Sequence, residues 1–244
     1  MRILLSNDDG IFSPGLVALA DVAEGFGEVL VVAPDVEQSA MGQAITIQRP
    51  LTYRSTALKS YKAYRVNGTP ADCVALGLYQ WGGADLVLSG INLGTNMGSD
   101  IWHSGTVAAA KQAALLGVRS AAFSMPVNGG EPEYDPLKDA IKRSIEIVLS
   151  QQHPLINVNL PAGDVAGYRW TRQSVRAYNG AVVPDEDPRG REHFWFVATP
   201  LTAPEEGSDR WALENNLVSL TPLRLDLTDD VQLEAHKPQV EEQA

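Results

Sequence analysis

Apolar runs alternate with helical patterns along the first part of the chain. Residues 2–6 (RILLS) and 28–34 (EVLVVAP) are continuous apolar runs, which are typical of strands buried on both faces. Residues 12–27 between them predict a helix, because Ser13 is a suitable N-cap and Pro14 suits the first helical position. This order predicts a βαβ unit with parallel strands.

The pattern changes between residues 44 and 66, where shorter alternating pieces predict an antiparallel excursion. The candidate strands are 44–48 (AITIQ), 51–55 (LTYRS) and 61–66 (YKAYRV). Pro50 lies between the first two and suits an edge or a turn. Thr69, Pro70 and Asp72 then have the pattern of a capping box at the start of a helix.

The strand and helix alternation resumes after residue 69 and continues to residue 161. The predicted segments are helix 69–80, strand 84–90, helix 104–117, strand 118–124, helix 134–151 and strand 154–161. We therefore predict an α/β core over residues 1–161, with a Rossmann-like, mainly parallel sheet flanked by helices. Residues 162–244 are predicted to form a C-terminal extension of strands and loops, with strand patterns at 193–199 and 217–223 and a frayed end at 237–244.

Composition narrows the class of protein. Of the 244 residues 44% are hydrophobic and 20% are charged, which is ordinary for a globular domain. The formal net charge of −11 disfavours a stable nucleic-acid partner or an anionic membrane, although a small phosphorylated substrate could bind where the field is locally inverted. One cysteine, Cys73, and the lack of a signal-like N-terminus or a spanning apolar run lead us to expect a cytoplasmic protein.

The tetrapeptide NDDG, residues 7–10, places two adjacent carboxylates at the end of the first predicted strand. Asp8 and Asp9 repel each other when both are ionised, and no basic residue adjoins them in sequence. Two acids on a bend suit a hard divalent cation with oxygen ligands. The alternative is an ordinary βα turn in which an aspartate caps the next helix.

Three further polar loops follow predicted strands or precede a helix on the same rim of the sheet, where parallel α/β proteins bind their ligands. Ser39 and Asn92 are neutral oxygen donors in two of these loops, although both residue types are also common in loops without function. Ser104, Gly105 and Thr106 open an alanine-rich helix whose free N–H groups suit a phosphate, or the serine is a plain N-cap. Motifs for a dinucleotide fold, a P-loop or a serine hydrolase are absent.

Six segments together resemble the SurE survival protein family in order and spacing. They are ILLSNDDG, VVAPDVEQSA, VNGTPADCV, DLVLSGINLGTNMGSD, SGTVAAA and NVNLP, with a weaker match at residues 206–223 (EGSDRWALENNLVSLTPL). Two departures from the family pattern, at residues 41–42 and 102–103, bear on substrate preference.

The resemblance implies a metal-dependent 5′/3′-nucleotidase that hydrolyses nucleoside monophosphates. Carried over to this sequence, it implies metal ligands at Asp8, Asp9, Ser39 and Asn92, with Asp8 and Asp9 also catalytic, for one Mn²⁺ or Mg²⁺ per subunit. It implies phosphate contacts at Asn96, Ser104, Gly105 and Thr106. It also implies a homodimer with an exchanged C-terminal arm, which in many members assembles into tetramers.

Two functions of other classes remain open on the residues alone. A non-catalytic module that binds a nucleotide or phosphometabolite would have a similar rim, but it would gain little from a double acid unless a metal lay between the acids and the ligand. A purely structural role in assembly would use the C-terminal extension, and the polar loops at the rim of the sheet would then have no function.

Overall fold

A computed structural model describes residues 1–127, 129, 132–175, 178–200 and 203–241. The strands are β1 (Arg2–Ser6), β2 (Glu28–Pro34), β3 (Tyr53–Leu58), β4 (Tyr61–Val66), β5 (Leu86–Leu93), β6 (Ser120–Met125), β7 (Leu155–Asn159), β8 (Gly167–Trp170), β9 (Tyr178–Glu186), β10 (Glu192–Pro200) and β11 (Leu217–Pro222). The helices are α1 (Pro14–Ala23), α2 (Pro70–Trp81), α3 (Gly105–Leu115), α4 (Lys138–Ser150), α5 (Asp209–Glu214) and α6 (Asp230–Glu241), with short 3-10 helices at Gly98–Trp102 and Asp135–Leu137. None of the described helices is long and apolar enough to cross a bilayer.

Nine strands form one sheet in the order β3-β4-β2-β1-β5-β6-β7-β11-β8. The strands from β4 to β7 run parallel, while β3 and β11 pair antiparallel to β4 and β7. Strand β1 pairs with β2 on one side and β5 on the other, so the strand order reverses at β1. Ligands of open α/β sheets bind at such a reversal, beyond the carboxyl ends of the strands.

Helices cover both faces of the sheet. Leu16 and Leu19 of α1 and Ile141 of α4 pack with Ile3 and Leu5 of β1 in one buried cluster. A second buried cluster joins α2 and α3 to the alternate residues of β1 and β2, and it includes Leu4, Val32, Val74 and Ala109. The predicted mainly parallel, helix-flanked sheet with an antiparallel excursion is thereby confirmed.

The prediction of a strand at residues 44–48 was wrong. The alternating apolar residues Ile45 and Ile47 are exposed, and this segment has no partner strand among the described residues. Its polar backbone groups bind instead to the start of α2, because Thr46 N donates to Asp72 Oδ1 (2.9 Å) and the Thr69 hydroxyl donates to Ala44 O (2.7 Å). The predicted capping box of Thr69 and Asp72 is confirmed.

The C-terminal part of the chain adds two strands to the main sheet and also forms a separate hairpin. Strands β8 and β11 complete the nine-stranded sheet, whereas β9 and β10 pair only with each other in a separate hairpin. Helices α5 and α6 lie where the sequence predicted only strands and loops, and α6 is helical through Glu241. The division into a core at 1–161 and an exchanged arm at 162–244 stays a prediction, and residues 176–177, 201–202 and 242–244 of that arm lie outside the described ones.

Candidate functional site

The NDDG segment forms a bend between β1 and α1. Asn7 is buried, and its Nδ2 donates to Gly10 O at 3.0 Å. Gly10 has a φ of +98°, a conformation that side chains with a Cβ seldom adopt. Gly10 O also accepts from Ser13 N at 3.0 Å, which directs the chain into α1. The bend therefore keeps Asp8 and Asp9 at the carboxyl edge of the sheet.

Asp8 is held by the first turn of α3. Its carboxyl group accepts from the Thr106 hydroxyl and from the backbone amides of Thr106 and Gly105, and only 3% of the residue is exposed. Burial raises the pKa of Asp8, and these hydrogen bonds offset part of that shift. The anion at this helix N-terminus is thus the Asp8 carboxylate itself, which the helix dipole favours.

The carboxyl group of Asp9 is partly buried and lies near two other acidic groups. Burial, together with the neighbouring charges of Asp8 and Glu37, raises the pKa of Asp9 to about 7, although the Leu93 backbone amide favours the ionised form. Among the described residues no group hydrogen-bonds to Asp9 Oδ2, which is buried. A buried carboxylate oxygen without a donor, beside a second carboxylate, calls for a cation.

The predicted residues meet at a cavity of about 580 Å³ on the carboxyl rim, within the roughly 300–1,000 Å³ typical of small-molecule sites. Asp8, Ser39, Asn92, Asn96 and Ser104 all line it, although they come from three separate parts of the chain, after β1, after β2 and between the end of β5 and α3. The structure therefore brings these five side chains together around one cavity. Asp9 is not among the lining residues; it follows Asp8 in the chain, and it is partly buried.

Among the described residues, none donates a hydrogen bond to the side-chain oxygen of Ser39 or Asn92. The Ser39 hydroxyl donates to Glu37 Oε1 at 2.7 Å, which leaves its lone pairs free. Asn92 Nδ2 donates to Gly94 O at 2.6 Å, which directs the amide oxygen away from that contact. A shift of the β5–β6 register between Ser89 and Asn92 sets the position of Asn92 at the end of the strand.

The donor set suits one hard divalent cation. It comprises two carboxylates, a hydroxyl and an amide oxygen, the ligand types that Mg²⁺ and Mn²⁺ prefer. Within the described parts of the chain no three acidic, histidine or cysteine residues cluster as a metal site, so neutral oxygens would have to complete the shell. The unpartnered Asp9 oxygen is the feature of the structure that such an ion would satisfy.

The predicted phosphate contacts separate into two kinds. Asn96 and Ser104 line the cavity, and Asn96 Nδ2 is a buried donor with no partner among the described residues. Gly105 and Thr106 are buried behind Asp8 and donate to it. Ser104 Oγ caps α3 by accepting from Val107 N at 3.0 Å. Direct phosphate contact by these four residues stays a prediction.

Several residues of the site lie outside the sequence prediction. The charge of Glu37 acts on Asp9, and Phe196 of the β9–β10 hairpin lines the cavity. Behind the cavity, Asn96 N donates to Asn159 Oδ1 at 3.0 Å, and Asn157 Nδ2 donates to Asn96 O at 2.7 Å. Buried asparagines at alternate positions of LINVN were the available signal, since buried amides need polar partners.

The two departures from the family pattern touch each other. Gly42 N donates to His103 O at 2.9 Å, and His103 lines the cavity. A change in one of these two loops would therefore alter the position of the other loop. Both loops lie next to the cavity in which a substrate could bind.

The raised pKa of Asp9 predicts the pH dependence of stability in metal-free protein. A carboxyl group with a raised folded-state pKa stabilises the fold at low pH, and this contribution is lost as the pH rises from about 4 to about 7. We expect metal-free Asp9→Asn to melt close to the wild-type temperature at pH 4 and at a higher temperature than the wild type at pH 7.5. Thermal denaturation with a chelator measures this, and parallel pH profiles for the two proteins would contradict it.

Comparison with known proteins identifies relatives of this chain. A family model described as survival protein SurE matches residues 3–180. The 5′-nucleotidase SurE 1 of Thermus thermophilus is 48% identical over 241 residues, covering 96% of each chain. The 5′-nucleotidase SurE of Deinococcus radiodurans is 44% identical over 236 residues, covering 93% of this chain and 88% of its own. The crystal structure of SurE from Aquifex aeolicus, 38% identical, matches with a TM-score of 0.85 over 98% of this chain and 99% of that one.

Proposed function

The chain belongs to the survival protein SurE family, and from this premise we propose that it hydrolyses nucleoside 5′- and 3′-monophosphates to nucleoside and inorganic phosphate. It is a phosphoric monoester hydrolase. The observation that carries the proposal is the pair of a buried Asp8 and a partly buried Asp9 at a cavity of nucleotide size that Asn96 and Ser104 also line. The non-catalytic alternative has no support from the relatives, which are named as nucleotidases.

One Mn²⁺ or Mg²⁺ per subunit would be held by Asp8, Asp9, Ser39 and Asn92. When bound, such an ion supplies positive charge for the phosphate oxygens and lowers the pKa of a coordinated water. Support comes from the unpartnered Asp9 oxygen and from the free oxygens of Ser39 and Asn92.

The chain's own residues orient the ester and move the protons. The side chains of Asn96 and Ser104 would hold the phosphate oxygens, since phosphoryl transfer depends mainly on positioning and charge stabilisation. Asp8 is fixed by its donors on α3, so Asp9 is the better candidate to accept the proton of the attacking water. His103 lines the cavity and is the candidate donor to the leaving oxygen.

The proposal also includes a homo-oligomer in the cytoplasm. The β9–β10 hairpin exposes large apolar side chains to solvent within one chain, including Val182, Phe194 and Trp195, which suits burial against another subunit. Cys73, the one cysteine in the sequence, is free and buried, as is common in reducing compartments.

A substrate panel tests the proposed function. We expect 5′-AMP, 5′-GMP and 3′-AMP to release phosphate with Mn²⁺, Mg²⁺ or Co²⁺, and a chelator to lower each rate by about a hundredfold or more. Phosphate release measured on one plate, with p-nitrophenyl phosphate for comparison, gives the preferred ester and ion together. Tight binding of nucleotides without release of phosphate under any of these ions would identify a binding module instead.

A further inference from the structure

Asp209, in the weaker family match at residues 206–223, is a buried carboxyl group that the proposed reaction does not use. It begins α5 and is 0% exposed. Its Oδ2 accepts from Gly98 N at 2.9 Å, and its Oδ1 accepts from Ser174 N (3.1 Å), the Ser174 hydroxyl and Arg210 N (2.8 Å). Burial of this group is tolerable only because these donors replace water.

The C-terminal part of the chain binds both polar groups of Gly98. Gln173 Nε2 donates to Gly98 O at 2.6 Å, while Asp209 accepts from Gly98 N. The two C-terminal segments involved are themselves tied together, because Asp209 N donates to Arg172 O at 2.9 Å. Gly98 is therefore held by a preorganised pair of segments that are more than 70 residues away in sequence.

Gly98 lies between the two predicted phosphate contacts that line the cavity. Asn96 is two residues before it, and the 3-10 helix that begins at Gly98 leads to Ser104. This helix is continuous with the cap of α3, because Asp100 N donates to Met97 O and Ser104 N donates to Asp100 O, both at 3.0 Å. A displacement of Gly98 would therefore move Asn96, Ser104 or both.

We propose that Asp209 is a positioning residue that fixes the phosphate-binding loop, residues 94–104, by holding Gly98 from the C-terminal part of the chain. The inference rests on the proposed function, since it concerns the same phosphate. Asp209 touches neither substrate nor metal; it acts through Gly98. Asn159 and Ser124 hold the other end of the loop at Asn96 N, so Asp209 supplies the second fixed point.

Asp209→Asn is the primary test. The amide replaces one acceptor oxygen with a donor, so either Gly98 N or the donors of Ser174 and Arg210 lose their partner. From the usual cost of an unmade buried hydrogen bond we expect the KM for 5′-AMP to rise by about 5- to 100-fold. The Kd for Mn²⁺, measured by calorimetry, should stay within about twofold, because Asp8, Asp9 and Ser39 lie in other loops and Asn92 belongs to β5 rather than to the loop.

A matched control removes a charge from the same helix without touching the loop. Glu214→Gln breaks a surface ion pair with Arg210 on α5, and we expect it to leave KM unchanged. The KM readout separates positioning from a structural role, because loss of folded enzyme lowers the apparent kcat but does not raise KM. Should Asp209→Asn fail to fold, Gln173→Ala removes the partner of Gly98 O and should raise KM in the same direction.

The outcomes are distinct. A KM rise in Asp209→Asn or Gln173→Ala, with Mn²⁺ affinity and the Glu214→Gln control unchanged, supports the inference. Folded variants with a wild-type KM, or with KM and Mn²⁺ affinity weakened to the same extent, would overturn it while leaving the nucleotidase proposal standing. A wild-type protein that hydrolyses no nucleoside monophosphate would instead refute the proposed function.

Discussion

Replacement of Asp8 by asparagine is expected to remove nearly all activity while the protein stays folded. The variant keeps the shape of the side chain but loses its negative charge. That charge would interact both with the first turn of α3 and with a bound cation. We expect kcat/KM for 5′-AMP to fall by at least about a thousandfold, more than the usual loss of a single transition-state hydrogen bond. Steady-state kinetics with saturating Mn²⁺ and circular dichroism measure the two parts of this expectation.

The matched control for Asp8→Asn is Asp139→Asn, which makes the same change at an exposed position on α4. It should have wild-type kinetics, because an exposed charge that belongs to no proposed ligand or phosphate contact is screened by salt. Activity in Asp8→Asn above about a tenth of the wild-type level would be incompatible with a metal ligand at this position.

Substitution of Gly105 by alanine is expected to have the second-largest effect. A Cβ at this position would lie 2.7 Å from Asp8 Cβ and 2.9 Å from Asp8 Oδ2, so Asp8 or α3 must shift. Helix propensity alone predicts a gain in stability for this change. We expect instead a loss of about 1–3 kcal/mol from overpacking and a fall in kcat/KM of at least about a hundredfold from misplacement of Asp8.

Gly163→Ala is the control for Gly105→Ala. Its added Cβ meets no atom within 4 Å and its backbone has no positive φ, so stability should change by less than about 0.5 kcal/mol. Chemical denaturation and kinetics on both variants give the comparison. Equal stability and equal activity of the two variants would show that the close approach of α3 to Asp8 has no importance for the site.

The sequence predicted a strand or helix correctly where the hydrophobic pattern of the segment matches the burial of its residues in the fold. The continuous apolar runs of β1 and β2 are buried on both faces, and Pro14 begins α1 as expected. The same reasoning failed at residues 44–48, where alternating apolar residues are exposed. The reason lies elsewhere in the chain, because Thr69 and Asp72 of the capping box bind the backbone that a neighbouring strand would otherwise have paired.

The sequence could predict the location of those site residues that lie near the ends of predicted strands. Asp8 and Ser39 follow parallel strands and Asn92 lies at the end of one, and parallel strands bring such positions to one rim. Long-range contacts could not be predicted this way. Thr106 contacts Asp8 across 98 residues of sequence, and Asp209 contacts Gly98 across 111. No local pattern encodes either contact, so a buried acid at residue 209 gave no sign of its role.

Titration of metal-free protein with Mn²⁺ tests most directly whether a cation draws the two carboxylates together. We expect one ion to bind per wild-type chain with release of protons near neutral pH, since the pKa of Asp9 is raised to about 7, and no ion to bind tightly to Asp8→Asn. Equal Mn²⁺ affinity in the two proteins, or no binding to the wild type, would contradict the metal site at the end of β1.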